Sequence, residues 1–499
     1  MLAHLRRGDE LRHPPRASLS QIRRAASLHF RYNPPTSRLA LMPQAPAGGH
    51  HSMGMGDRLA EIRTGFHPSF WVANFTELFE RLAYYGTTAV LAIYLSEQLH
   101  FSSELTGWLM GTFGFVVWFL PVLGGTLADR FGFRRALLFA YFVMTIGYFL
   151  LGSLSAPWMQ SLRHTLGDKW LVLAILMIPA LGPAVVKPCV AGTTARASSE
   201  NVRSMGYSIY YTMVNVGGTL GPIVAWLVGE RLGFGNETVF RVCSASVFLM
   251  FWFTLFFFHE TTSESRGQVA TIGAALRNMV TVLANFRFVL FLLIFSGYWV
   301  IFWQQYIGAP LFVRRYVSPT APVALLLSTD AATVICFQIL VSYLTRRIPP
   351  IPAISLGILI SSLSWIILAV HPASPALAGA VSSVFAMFGS HVSIDPAAPM
   401  FVLTMFFLAL GEITQSPRYY EYVSRLAPPG REGLFMGYAF LPIAIGYFIA
   451  GVLGGKLLEY FGEVRQQPQQ MWWVICGVGV LTAILMVLYD RVLAARQQS

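Results

Sequence analysis

Charged residues are scarce in this sequence. Asp, Glu, Lys and Arg make up 12% of the 499 residues, while hydrophobic residues make up 55%. A soluble protein of this size has roughly a quarter charged residues, so the composition excludes an ordinary soluble domain. It predicts a polytopic membrane protein.

Cysteine is scarce as well, and the sequence lacks the motifs of enzymes. The four cysteines lie far apart in or beside apolar runs, a spacing that gives neither a disulfide framework nor a zinc site. The histidines have no metal-ligand spacing, no glycine-rich run forms a phosphate-binding loop, and no nucleophile has a base partner. The sequence therefore predicts no enzymatic activity, no metal site and no cofactor.

Long apolar runs, in contrast, are abundant. Each has about the length that a helix needs to cross ~30 Å of hydrocarbon. The twelve runs are 70–97, 105–128, 134–155, 170–194, 206–230, 241–258, 288–313, 322–345, 352–371, 399–423, 433–456 and 471–490. They predict an all-α membrane protein with twelve transmembrane helices.

A polar stretch divides these helices into two halves of six. The predicted organisation is a basic tail 1–66, a bundle 67–258, a cytoplasmic linker 259–287, a bundle 288–490 and a tail 491–499. The N-terminal tail is rich in Arg, Pro and Ser and buries too little apolar surface to fold, which predicts disorder. Two alternatives are a true start at Met53 or Met55 and a regulatory tail that binds anionic lipid.

Membrane topology explains the net charge of +12. If the N-terminus is inside, the inner segments carry more Lys and Arg than the outer loops do. We therefore predict cytoplasmic N- and C-termini in a cell membrane, with the lipid bilayer and not a nucleic acid as the partner of this charge. Nothing in the sequence predicts oligomers, and we expect a monomer.

Short similarities between run ends suggest internal symmetry. The segments 125–133, 226–234 and 455–462 share a glycine-rich pattern with a charged residue before an aromatic or aliphatic one. The first of these segments is at the end of the second run, and the second is at the end of the fifth. Because these runs are three apart, the two segments lie on opposite sides of the membrane, as in the inverted repeats of secondary transporters. Ordinary helix-end chemistry is the alternative explanation.

Charge within the apolar runs is the most informative feature. Glu77, Glu80 and Arg81 lie in the first run, spaced so that they share one helical face, which Tyr84 continues. A charge at the bilayer centre costs about 3 kcal/mol or more, so such residues face the protein interior and act on ions or substrates. This stripe is able to hold and release a proton beside a fixed positive charge.

Other runs also contain polar residues. Lys187 precedes a proline and needs an anionic partner unless its ammonium reaches the interface. Glu412 begins a polar segment that includes Ser416 and Arg418, where Pro417 is predicted to break the helix, as at transporter binding sites. Asn215, Asp330 and Trp303 are further candidates. Packing is the alternative role for Asn215 and Trp303, and a bond to a nearby Ser or Thr is the alternative for Asp330.

Several of these segments resemble the major facilitator superfamily, and within it the proton-coupled oligopeptide transporters. Residues 123–135, with Gly125, Asp129, Arg130, Gly132 and Arg134, look like the superfamily's loop between helices 2 and 3, which would be a gating or structural loop. Residues 77–86 look like the peptide transporters' ExxER signature. The segments 187–188, 210–217 and 411–417 are similar to the family's motifs in helices 4, 5 and 10.

The resemblance implies a fold and roles for the matching residues. The fold would be that of the major facilitators, two six-helix halves with inverted repeats, and the coupling ion would be the proton. Glu77 and Glu80 would couple protons while salt-bridged to Arg81 and Lys187, and these two cations would contact a peptide carboxylate. Glu412 would hold the peptide amino group. The resemblance also implies substrate contacts by Tyr84, Tyr85 and Asn215. We predict further substrate contacts by Trp303, Gln304, Ser416 and Arg418.

The chain also departs from the family's pattern. Trp303 stands where family helix 7 usually has an acid, and Asp330 stands where the family often has Asn and is predicted to titrate in place of that acid. Arg418 replaces an apolar residue and would neutralise Glu412 or bind a substrate anion. The first hypothesis is therefore proton-coupled import of di- and tripeptides. The second is transport or export of another small organic anion or drug, and the third is a non-transporting membrane protein.

Overall fold

The chain forms two units, Met1–Met55 and Gly56–Ser499. The computed structural model describes residues 64–122, 132–260, 280, 282–388, 390, 392–427 and 432–494, all of which belong to the second unit. Most of the predicted tail 1–66 and linker 259–287, the end of the tail 491–499, and the loop residues Gly125, Asp129 and Arg130 lie outside the described residues.

The described residues are helical, apart from one isolated antiparallel bridge between Phe66 and Ser198. The α-helices are α1 Pro68–Ile93, α2 Ser103–Phe119, α3 Phe133–Leu151, α4 Pro157–Leu166, α5 Asp168–Arg196, α6 Arg203–Trp226, α7 Gly235–Phe257, α8 Phe286–Phe302, α9 Gly308–Phe312, α10 Val323–Thr345, α11 Pro350–Val370, α12 Pro375–Met387, α13 Ala398–Leu426, α14 Glu432–Tyr438, α15 Leu441–Leu458 and α16 Gln470–Ala494.

Among the described residues, ten helical segments are long and apolar enough to cross a membrane. They coincide with ten of the predicted runs. The other two predicted runs are also helical: α1 has 26 residues and contains the three charged side chains, and α2 has 17 residues. The prediction of an all-α membrane protein is therefore confirmed.

The interruption of a membrane helix does not lie where the sequence predicted it. Helix α13 runs without a break through Pro417, so the predicted broken helix there is wrong. The seventh run is interrupted instead, since α8 ends at Phe302 and a 3-10 turn over Trp303–Gln305 precedes α9. Trp303 thus lies at a helix break, where backbone direction changes.

Glycines bring α1 and α6 into close contact, which fixes the charged face of α1. A Cβ at Gly217 would lie 2.4 Å from the Leu78 carbonyl oxygen, and a Cβ at Gly221 would lie 2.5 Å from the Leu82 carbonyl oxygen. Small residues of this kind let membrane helices approach to backbone contact. Helix α1 also packs on α7, so its charged face lies within the protein.

A second glycine contact joins α2 to α15. A Cβ at Gly107 would lie 2.2 Å from the Gly451 carbonyl oxygen, and a Cβ at Gly455 would lie 2.5 Å from the Ser103 carbonyl oxygen. One group of helices precedes the predicted linker and the other follows it. Among the described residues, this contact and the packing of α6 on α10 are the most extensive contacts between the two groups. A relative movement of these two groups of helices must change at least one of these two contacts.

Candidate functional site

The charged residues of α1 form one buried cluster. Arg81 is 2% exposed and both glutamates are fully buried. The Arg81 guanidinium donates to Glu80, and its Nε lies 3.4 Å from Glu77 Oε1. The predicted shared face is therefore present, with one cation between two carboxylates.

The cluster is incompletely hydrogen-bonded. Both Glu77 carboxylate oxygens and one Glu80 oxygen are buried without a hydrogen-bond donor. Burying such an oxygen unpaired costs about 1–3 kcal/mol or more. A proton or an incoming donor would relieve this cost, so the arrangement suits reversible protonation.

Two tyrosines extend the cluster along α1. The Arg81 guanidinium lies 5.3 Å from the ring centroid of Tyr84, whose hydroxyl is buried without a partner. Tyr85 is half-buried and lies within electrostatic reach of Arg81, Glu412 and Asp330. It is therefore near both the charges of α1 and those of α10 and α13.

Lys187 does not form the ion pair that the resemblance implied. Among the described residues, no carboxylate lies within 4 Å of its ammonium. Instead its Nζ lies 3.1 Å from the ring centroid of Trp118 and 5.8 Å from that of Phe440. A desolvated cation–π contact contributes about 2 kcal/mol, which makes the indole face a competitive partner for a buried ammonium. The ion pair of Lys187 with Glu77 or Glu80 is absent from this conformation.

The aromatic partner of Lys187 connects to Trp303. Trp118 lies 5.9 Å from Trp303, which stacks on Tyr447 at 4.2 Å between ring centroids. Trp303 is 1% exposed, and it follows the helix break described above. Trp303 therefore belongs to a stacked aromatic group that joins Lys187 indirectly to α15.

The contact between Lys187 and Trp118 gives a first testable prediction. In a double-mutant cycle of Trp118→Leu and Lys187→Met, we expect a coupling of about 1–2 kcal/mol in unfolding free energy, because each variant removes the same cation–π contact. The measurement is the thermal or denaturant stability of the purified protein in detergent. Additive single effects would contradict the assigned contact.

The Gln304 side chain packs against α15. It is fully buried, and its Nε2 donates to the Ala450 carbonyl oxygen at 3.0 Å. Gly454 leaves room for this side chain, since a Cβ there would lie 2.4 Å from Gln304 Oε1. Gln304 thus fastens the interrupted seventh run to α15, and its substrate contact stays a prediction.

Two acids lie on the packed helices α10 and α13, within electrostatic reach of each other. Asp330 is 6% exposed, and its Oδ1 has no hydrogen-bond donor. Glu412 is half-buried, and the two carboxylates are close enough to repel each other when both are ionised. Within the described part of the chain, no Lys, Arg or His nitrogen lies within 4 Å of either one. The proton-coupling assignment of Asp330 stays a prediction.

Arg418 does not neutralise Glu412. Its Nη1 donates to Glu421 Oε2 at 2.7 Å, and its Nη2 donates to the Thr345 carbonyl oxygen at 3.0 Å. The i,i+3 spacing of Arg418 and Glu421 would have revealed this pair, but sequence analysis missed it. Ser416 accepts a hydrogen bond from Gln415 Nε2 at 2.8 Å, so its predicted role in substrate binding competes with a local contact.

Asn215 is also engaged locally. Its Nδ2 donates to the Tyr211 carbonyl oxygen of the preceding turn of α6, at 2.8 Å. Its side chain is half-buried, and Tyr211 itself lies within electrostatic reach of Glu412 and Asp330. The structure therefore places the α6 motif beside the two acids of α10 and α13.

The described part of the predicted gating loop is anchored to α7. The Glu260 carboxylate accepts from the backbone N–H groups of Phe133 and Arg134, at 2.8 and 3.1 Å, and so caps α3. Arg134 in turn donates to the Leu255 carbonyl oxygen. Gly132 precedes α3 with a φ of +83°, a backbone conformation that favours glycine.

Comparison with known proteins gives two kinds of relatives. A family model described as Major Facilitator Superfamily matches residues 74–396. The chain is 22% identical over 82% of its length to the multidrug resistance protein MdtH of Photorhabdus laumondii, of which it covers 91%. It is 27% identical over 45% of its length to the dipeptide and tripeptide permease B of Salmonella typhimurium, of which it covers 43%.

Solved structures share the fold. A POT family transporter in complex with a thioalcohol conjugated peptide superimposes with a TM-score of 0.65 at 17% identity, over 85% of this chain and 96% of that one. A POT family transporter in complex with 5-aminolevulinic acid gives the same TM-score, identity and coverage. At this identity, the likeness shows the fold alone.

Proposed function

The chain belongs to the Major Facilitator Superfamily, and from this premise we propose that it carries di- and tripeptides together with protons by alternating access. It is a multi-pass membrane transporter and not an enzyme. The proposed architecture is the major facilitator fold, with twelve membrane helices in two six-helix halves related by inverted repeats. Both termini would be cytoplasmic, and the protein would work as a monomer in the cell membrane.

The placement of opposite charges within electrostatic reach of one side chain, Tyr85, carries the proposal. Arg81 of α1, Glu412 of α13 and Asp330 of α10 all lie within that reach. A short peptide is a zwitterion, with an ammonium at one end and a carboxylate at the other. Such a molecule would place its carboxylate toward Arg81 and Lys187 and its ammonium toward Glu412.

The coupling mechanism follows from the cluster on α1. When Glu77 or Glu80 takes up a proton, Arg81 loses one of its two anionic partners and becomes available to the substrate carboxylate. Proton binding then favours substrate binding, and by linkage the reverse holds. A coupling of about 1–3 kcal/mol would change the conformational equilibrium roughly 5- to 150-fold.

The closed end of the molecule fits one stage of this cycle. The α2–α15 contact is reinforced by an ion pair between Lys456 and Glu104 at 3.6 Å and by a hydrogen bond from Arg315 to Ser103 at 2.7 Å. In the proposed orientation this end faces outward. The structure would then represent a conformation that is closed toward the outside.

Drug export is the second candidate function. The relatives named multidrug resistance proteins are matched over most of their length, whereas the peptide permease is matched over less than half. The buried aromatic group around Trp118 and Trp303 is the feature of this chain that would suit a planar drug.

A counterflow assay in proteoliposomes would separate the two candidates. Vesicles are loaded with unlabelled Ala-Ala, and accumulation of labelled Ala-Ala is measured while external peptides or hydrophobic drugs compete. Peptide transport predicts saturable counterflow that di- and tripeptides inhibit and single amino acids do not. Counterflow absent for peptides but present for a labelled drug would favour the second function.

A further inference from the structure

We propose that Asp330 and Glu412 form one cation site, which selects substrates with one more ammonium than carboxylate groups. This inference rests on the proposed function and names the substrate class of the same site. The chemical class is a net-cationic short peptide, such as one with a lysine side chain. A plain zwitterionic peptide would be a weaker substrate.

The formal charges of the buried site support this assignment. Helices α1 and α5 carry two acids and two bases, whose formal charges cancel: Glu77, Glu80, Arg81 and Lys187. On α10 and α13, Asp330 and Glu412 contribute two negative charges, and no basic nitrogen of the described residues lies within 4 Å of them. Arg418, the nearest basic residue along α13, is occupied by Glu421 at 2.7 Å.

Unpaired polar atoms around these acids indicate room for a donor. Besides Asp330 Oδ1, the buried atoms without a hydrogen-bond partner include both ends of the Gln305 amide and the Tyr298 hydroxyl. Tyr298 and Glu412 interact electrostatically, as do Tyr298 and Asp330. The Gln305 side chain is near enough to Asp330 to bond to it, and Asp330 Oδ1 is left with hydrogen-bonding capacity for an incoming donor.

The alternative occupant of the site is a pair of protons. Two protonated acids would need no cationic substrate, and the transporter would then be indifferent to the charge of the peptide side chain. The Asp330→Asn variant distinguishes these outcomes, because asparagine has nearly the same shape as aspartate but lacks its negative charge. Asp330→Glu keeps the charge and serves as the rescuing variant.

The test is uptake by proteoliposomes at one fixed pH of three labelled peptides, Ala-Lys, Ala-Ala and Ala-Glu. For the unaltered protein, we expect Ala-Lys to be preferred over Ala-Ala by at least about tenfold in uptake efficiency, or about 1.4 kcal/mol. We expect Asp330→Asn to abolish this preference while Ala-Ala uptake continues, and Asp330→Glu to retain it. Asp490→Asn, which alters an aspartate of α16 outside the site, is the matched control.

The outcomes separate this inference from the proposed function. Uptake of all three peptides with equal efficiency would overturn the cation site but leave peptide transport intact. A preference for Ala-Lys that survives in Asp330→Asn would also overturn it. If the unaltered protein transported none of the three peptides, the proposed function itself would fail.

Discussion

The Glu80→Gln variant is expected to lose proton-driven uptake by at least about 100-fold, equivalent to about 2.7 kcal/mol. Glu80 is fully buried and accepts a hydrogen bond from Arg81. Glutamine retains the shape and the acceptor oxygen but cannot gain or lose a proton. The measurement is peptide uptake by proteoliposomes with and without an inward proton gradient.

The controls for this variant address folding and specificity. Substrate exchange at equal pH should survive in Glu80→Gln, since exchange requires movement of the loaded carrier but no net proton transfer. Glu200→Gln, which changes an exposed acid at the start of a 3-10 turn, should behave like the unaltered protein. Full gradient-driven uptake in Glu80→Gln would show that Glu80 does not couple protons.

The Gly451→Ala variant is expected to open the α2–α15 contact and to lower uptake by at least about tenfold. A Cβ at this position would lie 2.2 Å from the Gly107 carbonyl oxygen and 2.7 Å from the Gly111 nitrogen, so the helices must separate. Overpacking of this kind costs about 1–3 kcal/mol in the close-packed state. It would shift the molecule away from the conformation described here.

Cysteine cross-linking measures that shift directly. In a background without the four native cysteines, cysteines at Glu104 and Lys456, whose charged groups lie 3.6 Å apart, report closure of this end. We expect Gly451→Ala to reduce their cross-linking, and Gly477→Ala, where no atom lies within 4 Å of the added Cβ, to leave it unchanged. Unaltered cross-linking and uptake in Gly451→Ala would contradict a moving α2–α15 contact.

Local spacing made part of the site predictable. Glu77, Glu80 and Arg81 share a helical face by their i,i+3 and i,i+4 separations, and the structure confirms that they touch. The membrane helices were predictable for a similar reason, because apolar length is a property of consecutive residues. In both cases, the relevant neighbours are close in sequence.

The partners of Lys187 and Trp303 were not predictable in the same way. Whether Lys187 meets a carboxylate or the face of Trp118 depends on how α2 packs against α5, a contact between residues distant in the sequence. The helix break at Trp303 has no proline within it to signal its position. Arg418 differs, because its partner Glu421 is only three residues away. Its i,i+3 spacing favours this ion pair over one with Glu412.

Gradient-driven peptide uptake is the most direct test of proton-coupled peptide transport. Purified protein in liposomes with an acidic exterior would be supplied with labelled Ala-Lys and Ala-Ala, with and without a protonophore. We expect saturable accumulation of peptide above its external concentration, which the protonophore abolishes. Accumulation that ignores the proton gradient, or vesicles that take up neither peptide, would contradict it.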